Sequence, residues 1–230
     1  MKKGFIIAID GPLASGKGTI AKKLANKLGG VDLYTGAMYR CVALYCINNK
    51  ISLVDALAVA AELDKITVSY REEKIFLNDK DVTEAIQDQA VAEGASVVGV
   101  IPEVRKELVA RQQKIGRAES EQGKIVIVEG RDIGTVVFPD AVLKIYLTAK
   151  DEVRAKRRFL QYQKQGDMKN LNDVLLEVGE RDIRDITRST DPLTSDPEKF
   201  GYYVLDNSHM DEEQTIEAIL TELRKKNLYD

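Results

Sequence analysis

The chain has 230 residues, 44% of them hydrophobic and 31% charged, so it is long enough to bury a full core and is composed like an ordinary globular protein. A net charge of −3 excludes a surface that binds polyanions throughout, and the basic residues matter only where they cluster. Cys41 and Cys46 are too few for a disulfide scaffold, the only histidine is His209, and no apolar run reaches membrane-spanning length; these facts exclude histidine-based triads and transmembrane helices. Lys2 and Lys3 precede an apolar run that breaks at Asp10-Gly11, too short for a secretory signal. With the two cysteines, this gives the expectation of a cytoplasmic protein with reduced thiols.

Phe5-Ile6-Ile7-Ala8-Ile9 reads as a buried strand, and Ile20, Leu24 and Leu28 put one apolar stripe on a following helix. Between them lies Gly11-Pro12-Leu13-Ala14-Ser15-Gly16-Lys17-Gly18-Thr19, on which the chain is organised. Strand, glycine-rich loop, lysine and helix form the context of a phosphate-binding loop. Glycines without a Cβ let the backbone approach a ligand, successive N–H groups make an anion-binding concavity, and the helix N-terminus adds partial positive charge. Lys17 supplies a full charge for the transferring phosphates. The general pattern has Ser or Thr directly after the lysine as a Mg²⁺ ligand; here Gly18 takes that place and Thr19 follows.

Val31 to Tyr34 is a short strand, and Thr35-Gly36 opens a helix carrying Met38, Cys41, Val42, Tyr45 and Cys46, with Thr35 as a candidate N-cap. Arg40, one turn in, stands where the helix dipole disfavours a cation unless an anion is present. Ser52 to Leu63 reads as a third helix capped by Ser52. Residues 66–70 and 74–78 form a hairpin about Arg71-Glu72-Glu73, with Asp81-Val82 as a further short strand. Residues 85–99 mix helix and turn, and Pro102 starts a long helix to about Glu119.

Ile125-Val126-Ile127-Val128 reads as a central parallel strand, ending in Glu129-Gly130-Arg131-Asp132, too many charges for a simple polar cap. Residues 143–147 are the next strand, Asp151 to Gln165 a charged helix, Asn172 to about Thr187 another, 202–205 the last strand and 212–225 the closing helix. Arg154, Arg157 and Arg158 share one helix face, as do Arg181, Arg184 and Arg188, with Asp185 between the last two. Either set is a solvated face or an arginine clamp on phosphoryl oxygens. Strands alternating with helices give an α/β fold: a phosphate-loop parallel sheet covered by helices on both faces, with ligands beyond the strand C-termini.

Taken together, Ile9 to Pro12, Gly16-Lys17-Gly18-Thr19, Thr35 to Arg40, Gly130 to Ala141, Glu180-Arg181-Asp182, Arg184-Asp185 and Arg188 resemble bacterial cytidylate kinase, a nucleoside monophosphate kinase family. The Gly-Lys-Gly-Thr variant is similar to that family's loop. The resemblance implies phosphoryl transfer from ATP to CMP or dCMP with Mg²⁺ in pyrimidine nucleotide metabolism, small-molecule partners only, and a monomer. It implies a core of residues 1–36, 103–150 and 181–230, a nucleoside-monophosphate-binding insertion at 37–102, and a lid at 151–180. It further implies that Thr35, Arg111 and Asp132 contact cytosine with Ser96 nearby, and that Arg40, Arg131 and Arg188 hold the acceptor phosphate. Arg181 and Asp185 would meet the sugar hydroxyls, and Arg157 or Arg158 would reach ATP from the lid. Glu129 would act on Mg²⁺ through water; the inner-sphere metal ligands stay open. Lys17, Arg131, Arg158 and Arg188 would neutralise the transferring group. Alternatives are a UMP or AMP kinase, a non-catalytic nucleotide- or RNA-binding module, and a GTPase switch. The last needs Asn-Lys-x-Asp, which is absent: Asn26-Lys27 precedes Leu28-Gly29 and Asn49-Lys50 precedes Ile51-Ser52.

Overall fold

The computed structural model describes residues 4–71, 74–164 and 166–229. Lys2, Lys3, Glu72, Glu73 and Gln165, read above as the chain start, a hairpin turn and a helix end, lie outside the described residues. In chain order the elements are β1 (Phe5–Asp10), α1 (Lys17–Leu28), β2 (Val31–Tyr34), α2 (Gly36–Asn48), α3 (Ala56–Ala60), β3 (Val68–Arg71), β4 (Lys74–Leu77), β5 (Lys80–Asp81), α4 (Gln89–Val98) and α5 (Pro102–Glu121). There follow β6 (Ile125–Gly130), β7 (Leu143–Thr148), α6 (Asp151–Lys164), α7 (Leu171–Thr187), β8 (Tyr203–Asp206) and α8 (Glu212–Lys225). The chain divides into two compact units, Met1–Leu33 with Ile115–Asp230, and Tyr34–Lys114.

The first unit is built on a sheet of order β2-β6-β1-β7-β8. β1 lies at its centre, parallel to β6 and β7, with Asp10 level with both Gly130 and Tyr146. Such a strand must be apolar on both faces, and Ile7, Ala8 and Ile9 are fully buried. Ile20, Ala21, Leu24 and Ala25 of α1 and Ile216, Ile219, Leu220 and Leu223 of α8 pack with Ile7, Ile9, Ile127, Ile145 and Leu147 as one core. Each isoleucine or leucine among them contributes about 1.5–3 kcal/mol relative to exposure. α1 ends at Gly29 in the left-handed region, whose N–H returns to Ala25 and Asn26. α8 starts with a capping box of Asp211 and Gln214.

Between β6 and β7 the chain makes a single wide π-type turn over Ile133–Val137, ending on the buried Phe138. Gly116 of α5 allows this: a Cβ there would stand 2.5 Å from Phe138 Cζ.

In the second unit, β3, β4 and β5 form an antiparallel sheet, as the hairpin reading expects. The expected helix from Ser52 is shorter. α3 starts only after Asp55, whose carboxylate accepts from the Ala58 N–H at 3.0 Å, so Asp55 and not Ser52 is its cap. Thr35 precedes α2 with helical backbone and no capping bond from its side chain, so its buried hydroxyl serves no N-cap. Cys41 and Cys46 are buried and free; burial pushes the Cys41 thiol up to about 12 and raises Cys46 as well, leaving neither as a nucleophile. Among the described residues no helix is long and apolar enough to cross a membrane.

Gly116→Ala improves helix propensity by about 1 kcal/mol, yet the buried Phe138 has nowhere to go. We expect a net loss of about 1–3 kcal/mol in urea unfolding, the cost of overpacking; an unchanged or raised stability would show that this packing contact is not tight.

Candidate functional site

The first unit gathers its charged residues beyond the C-terminal ends of β1 and β6. β1 ends at Asp10 and the loop curls at once. Gly11 has φ 149°, and a Cβ there would sit 2.0 Å from the Leu147 carbonyl oxygen, so only glycine fits. Ala14, at φ 58°, holds a left-handed conformation that costs a residue with a Cβ, an instance of strain stored in a binding loop. α1 then begins at Lys17 behind Gly16 with no side-chain cap and no acidic residue in its first turn, as an anion site at a helix N-terminus requires.

The loop is braced from behind. Asp182 of α7 accepts from the Leu13 N–H at 2.9 Å, and Arg154 of α6 donates to the Leu13 carbonyl at 2.8 Å and to Asp182 at 2.5 Å. Arg154 also reaches Asp151 and the Ala149 carbonyl, and it is almost fully buried. The arginine face expected on α6 therefore splits. Arg154 is a structural tie between loop, α6 and α7. Arg157 donates to the Ser15 carbonyl at 3.2 Å and to Asn207, whose amide also donates to Ser15. Arg158 lies over the Tyr162 ring at 4.4 Å and donates to its hydroxyl, which in turn donates to Glu177. Lys169 covers the same ring and pairs with Glu177 at 2.8 Å.

Lys17 folds back on the loop, donating to the Pro12 carbonyl at 2.8 Å and to Ser15 Oγ at 3.3 Å. Burial pushes its ammonium down and Arg131 pushes it further, against Glu129, Asp10 and Asp185, to about 7. Ser15 is buried, whereas Gly18 and Thr19 face solvent, and a Cβ on Gly18 would meet nothing within 4 Å.

The arginine face on α7 forms the second half of this constellation. Arg131 Nε donates to Asp185 at 2.7 Å, and Arg181 stands 3.7 Å from the other Asp185 oxygen. Burial would raise the Asp185 carboxyl, but Arg131, Arg181 and Arg188 outweigh it and hold the group below its usual range. Arg188 lies 3.5 Å from Asp132 and is anchored on the Asp191 carbonyl. Five residues singled out in the sequence, Arg131, Asp132, Arg181, Asp185 and Arg188, thus meet in one ion-pair array.

In the second unit Thr35 and Ser96 are buried, and Arg40 donates to the Ile86 carbonyl at 2.6 Å and to Gln87. Arg111 is held by protein groups of its own unit. It pairs with Glu107 at 2.6 Å and donates to the Ile66 and Leu63 carbonyls, a tether for the segment leading into the hairpin. The deeply buried guanidinium here is that of Arg105, over the Tyr39 ring at 5.7 Å and donating to the Gly99 carbonyl.

The reading from sequence missed Asp10, Asp182, Asn207, Tyr202 and Arg105. Asp10 carried a signal, a carboxylate closing a buried strand. The rest depend on contacts that only the folded chain makes.

A parallel sheet with a glycine-rich loop between β1 and α1, a buried lysine and an arginine array define an α/β phosphate-loop protein. A structure from Eubacterium ventriosum, described as an uncharacterized protein, matches with TM-score 0.55 at 14% identity, covering 97% of this chain and 99% of that one. A gluconokinase from Sinorhizobium meliloti matches with TM-score 0.51 at 14% identity, over 99% and 97%. These share the fold alone. The family model for cytidylate kinase matches residues 7–225. The cytidylate kinase of Caldanaerobacter subterraneus subsp. tengcongensis is 42% identical over 219 residues, 95% of this chain and 94% of that protein. The chain belongs to the cytidylate kinase family.

The Lys17 shift has a sign that can be checked. With the folded value about 7 and the unfolded value 10.5, the unfolded chain binds more protons between them, so this lysine's contribution to stability improves as pH rises through that window. Against Lys17→Met, the wild type should gain in unfolding free energy from about pH 7 to about pH 9 in urea titrations. A constant difference would mean that Lys17 stays charged in the empty loop.

Proposed function

We infer that this chain transfers the γ-phosphoryl group of ATP to CMP and dCMP, giving the nucleoside diphosphates and ADP. The observation that carries the reading is the array of Arg131, Arg181 and Arg188 on Asp185 and Asp132, electrostatically coupled to the phosphate-loop lysine. Phosphoryl transfer asks a protein mainly for positioning and charge neutralisation, and this array offers both.

In the reaction a phosphate oxygen of the acceptor attacks the γ-phosphorus in line, the bond from that phosphorus to the β,γ-bridging oxygen breaks, and ADP leaves with the electron pair. The attacking oxygen is already anionic, so no general base is needed, in keeping with the lack of a histidine at this site. Lys17 exchanges its loop contacts for phosphate oxygens and regains its charge. Arg131 and Arg188, with Arg40 from the second unit, hold the acceptor phosphate; Arg181 and Asp185 meet the sugar hydroxyls; Arg157 and Arg158 serve the ATP side, and the segment 151–180 acts as the lid that excludes water.

Among the described residues no group of three His, Cys, Asp or Glu side chains could hold a metal, and Asp10 already accepts three hydrogen bonds. Glu129, the carboxylate that acts on Lys17, is the residue that would hold Mg²⁺ through water. When bound, Mg²⁺ neutralises charge on the β- and γ-phosphates.

For the base, Asp132 accepts from the amino group of cytosine, and facing uracil would meet O4 with no proton between two acceptors. Thr35 and Ser96 contribute from the second unit. Arg105 suits the guanidinium role better than Arg111, because it is buried against Tyr39 within the Thr35–Arg40 segment.

A coupled ADP-release assay with CMP, dCMP, UMP and AMP tests the reading. CMP and dCMP should be turned over, and in Asp132→Ala the ratio of kcat/KM for CMP over UMP should fall at least about tenfold, roughly 1.4 kcal/mol. Preference for AMP or UMP in the wild type, or no ADP release with any acceptor, would overturn the assignment. An unchanged ratio in Asp132→Ala would remove Asp132 from base reading.

A further inference from the structure

Asp10 is fully buried, and two of the three hydrogen bonds its carboxylate accepts come from the turn that carries Arg131 and Asp132. Oδ1 accepts from the Ile133 N–H at 2.9 Å; Oδ2 accepts from the Gly134 N–H at 2.8 Å and from the Tyr202 hydroxyl at 2.6 Å. Tyr202 comes from just before β8, the edge strand, and reaches past β7 to the end of β1. Tyr146 of β7, level with Asp10, meets the Tyr202 ring edge to face, with centroids 6.2 Å apart and planes at 86°. The fit is close: a Cβ on Gly134 would stand 2.7 Å from the Tyr202 oxygen and 3.0 Å from Lys144 Cδ.

A buried carboxylate costs several kcal/mol in desolvation unless donors surround it. Here two of the three donors are backbone groups of one turn, and an apolar residue would have spared the cost. Asp10 is also the residue before Gly11, so the start of the phosphate loop and the turn after β6 hang on one side chain. The side chains of that turn are fixed separately, Arg131 by Asp185 and Asp132 by Arg188. Backbone position comes from Asp10, and side-chain direction from α7 and the residue that follows it, Arg188.

We propose that Asp10 and Tyr202 are positioning residues for phosphoryl transfer: their hydrogen bonds fix the turn at 131–134 against the start of the phosphate loop and so set the placement of the acceptor relative to the donor phosphates. The proposal rests on the reading of this site as a CMP kinase. Both residues are buried. Tyr202 is the informative one, because removing its hydroxyl leaves the Asp10 contacts to Ile133 and Gly134 in place while freeing the carboxylate to rotate. Misplacement of the acceptor-side groups should weaken use of CMP and leave ATP binding by the loop intact.

Two full-length variants test this from opposite sides of one contact. Tyr202→Phe deletes the hydroxyl, and Gly134→Ala pushes a methyl into it. Steady-state kinetics with each substrate varied should show the KM for CMP raised at least about fivefold and the CMP-over-UMP ratio lowered, with the KM for ATP within about twofold. Hydrogen exchange should speed up over 131–138 and stay unchanged in the interiors of β1 and β6. Unaltered CMP kinetics, equal changes in both KM values, or uniformly faster exchange would overturn the proposal, as would failure of both variants to fold, since the contact would then be purely structural. If the wild type turns over no CMP, the functional reading fails on its own. The exchange pattern still decides whether this contact governs the turn.

Discussion

A charge taken out of water must find a partner, and the first unit of this protein is arranged around that constraint. Asp10, Lys17, Glu129, Asp132, Arg154, Asp182 and Asp185 are all buried near the C-terminal ends of the strands. Left alone, each would cost several kcal/mol. Some of the contacts that relieve them are local, such as Arg181 with Asp185 and Lys17 with Ser15, but others join distant elements. Asp182 reaches the loop from α7, Arg154 reaches it from α6, and Asp10 holds the turn beyond β6. The same contacts that make burial tolerable also fix the relative positions of loop, turn and helices.

The empty loop is consequently a self-satisfied structure. Lys17 occupies the Pro12 carbonyl, Arg157 and Asn207 occupy the Ser15 carbonyl, and Arg158 rests on Tyr162. Lys17 and Arg157 are thus held at the loop by weak acceptors, mostly carbonyls, while Arg158 sits between Tyr162 and Glu177. Phosphate oxygens are better partners for the first two. Asp185 works in the other direction, holding Arg131 in a partly buried ion pair at 2.7 Å. Arg154 belongs to the scaffold altogether, since the partners of its three guanidinium nitrogens are protein oxygens.

Much of this was legible in the sequence. The phosphate loop, the order of strands and helices and the arginine array on α7 follow from short-range pattern: an apolar run, glycine spacing, and residues three and four apart on one helix. What the sequence left open is of another kind. Ser52 and Asp55 are both good caps, and only packing decides where α3 begins. Arg154 and Arg157 are indistinguishable from Arg158 by spacing, because the face they share meets different partners along its length. Arg111 and Arg105 both lie on α5, and which is buried depends on Tyr39 and the Leu63–Ile66 segment. The Tyr202 to Asp10 bond joins residues 192 positions apart, with no motif at the tyrosine end.

The central claim is that burial lowers the Lys17 ammonium to about 7 in the empty loop, so that above neutral pH it is largely uncharged until phosphates arrive and restore its charge. Calorimetric titration with a non-hydrolysable ATP analogue, repeated in buffers of differing ionisation enthalpy at about pH 8, reads that recovery directly as protons taken up on binding. We expect net uptake in the wild type, largely absent in Lys17→Met. Binding heats that do not change with buffer, or an uptake that persists in Lys17→Met, would contradict the account.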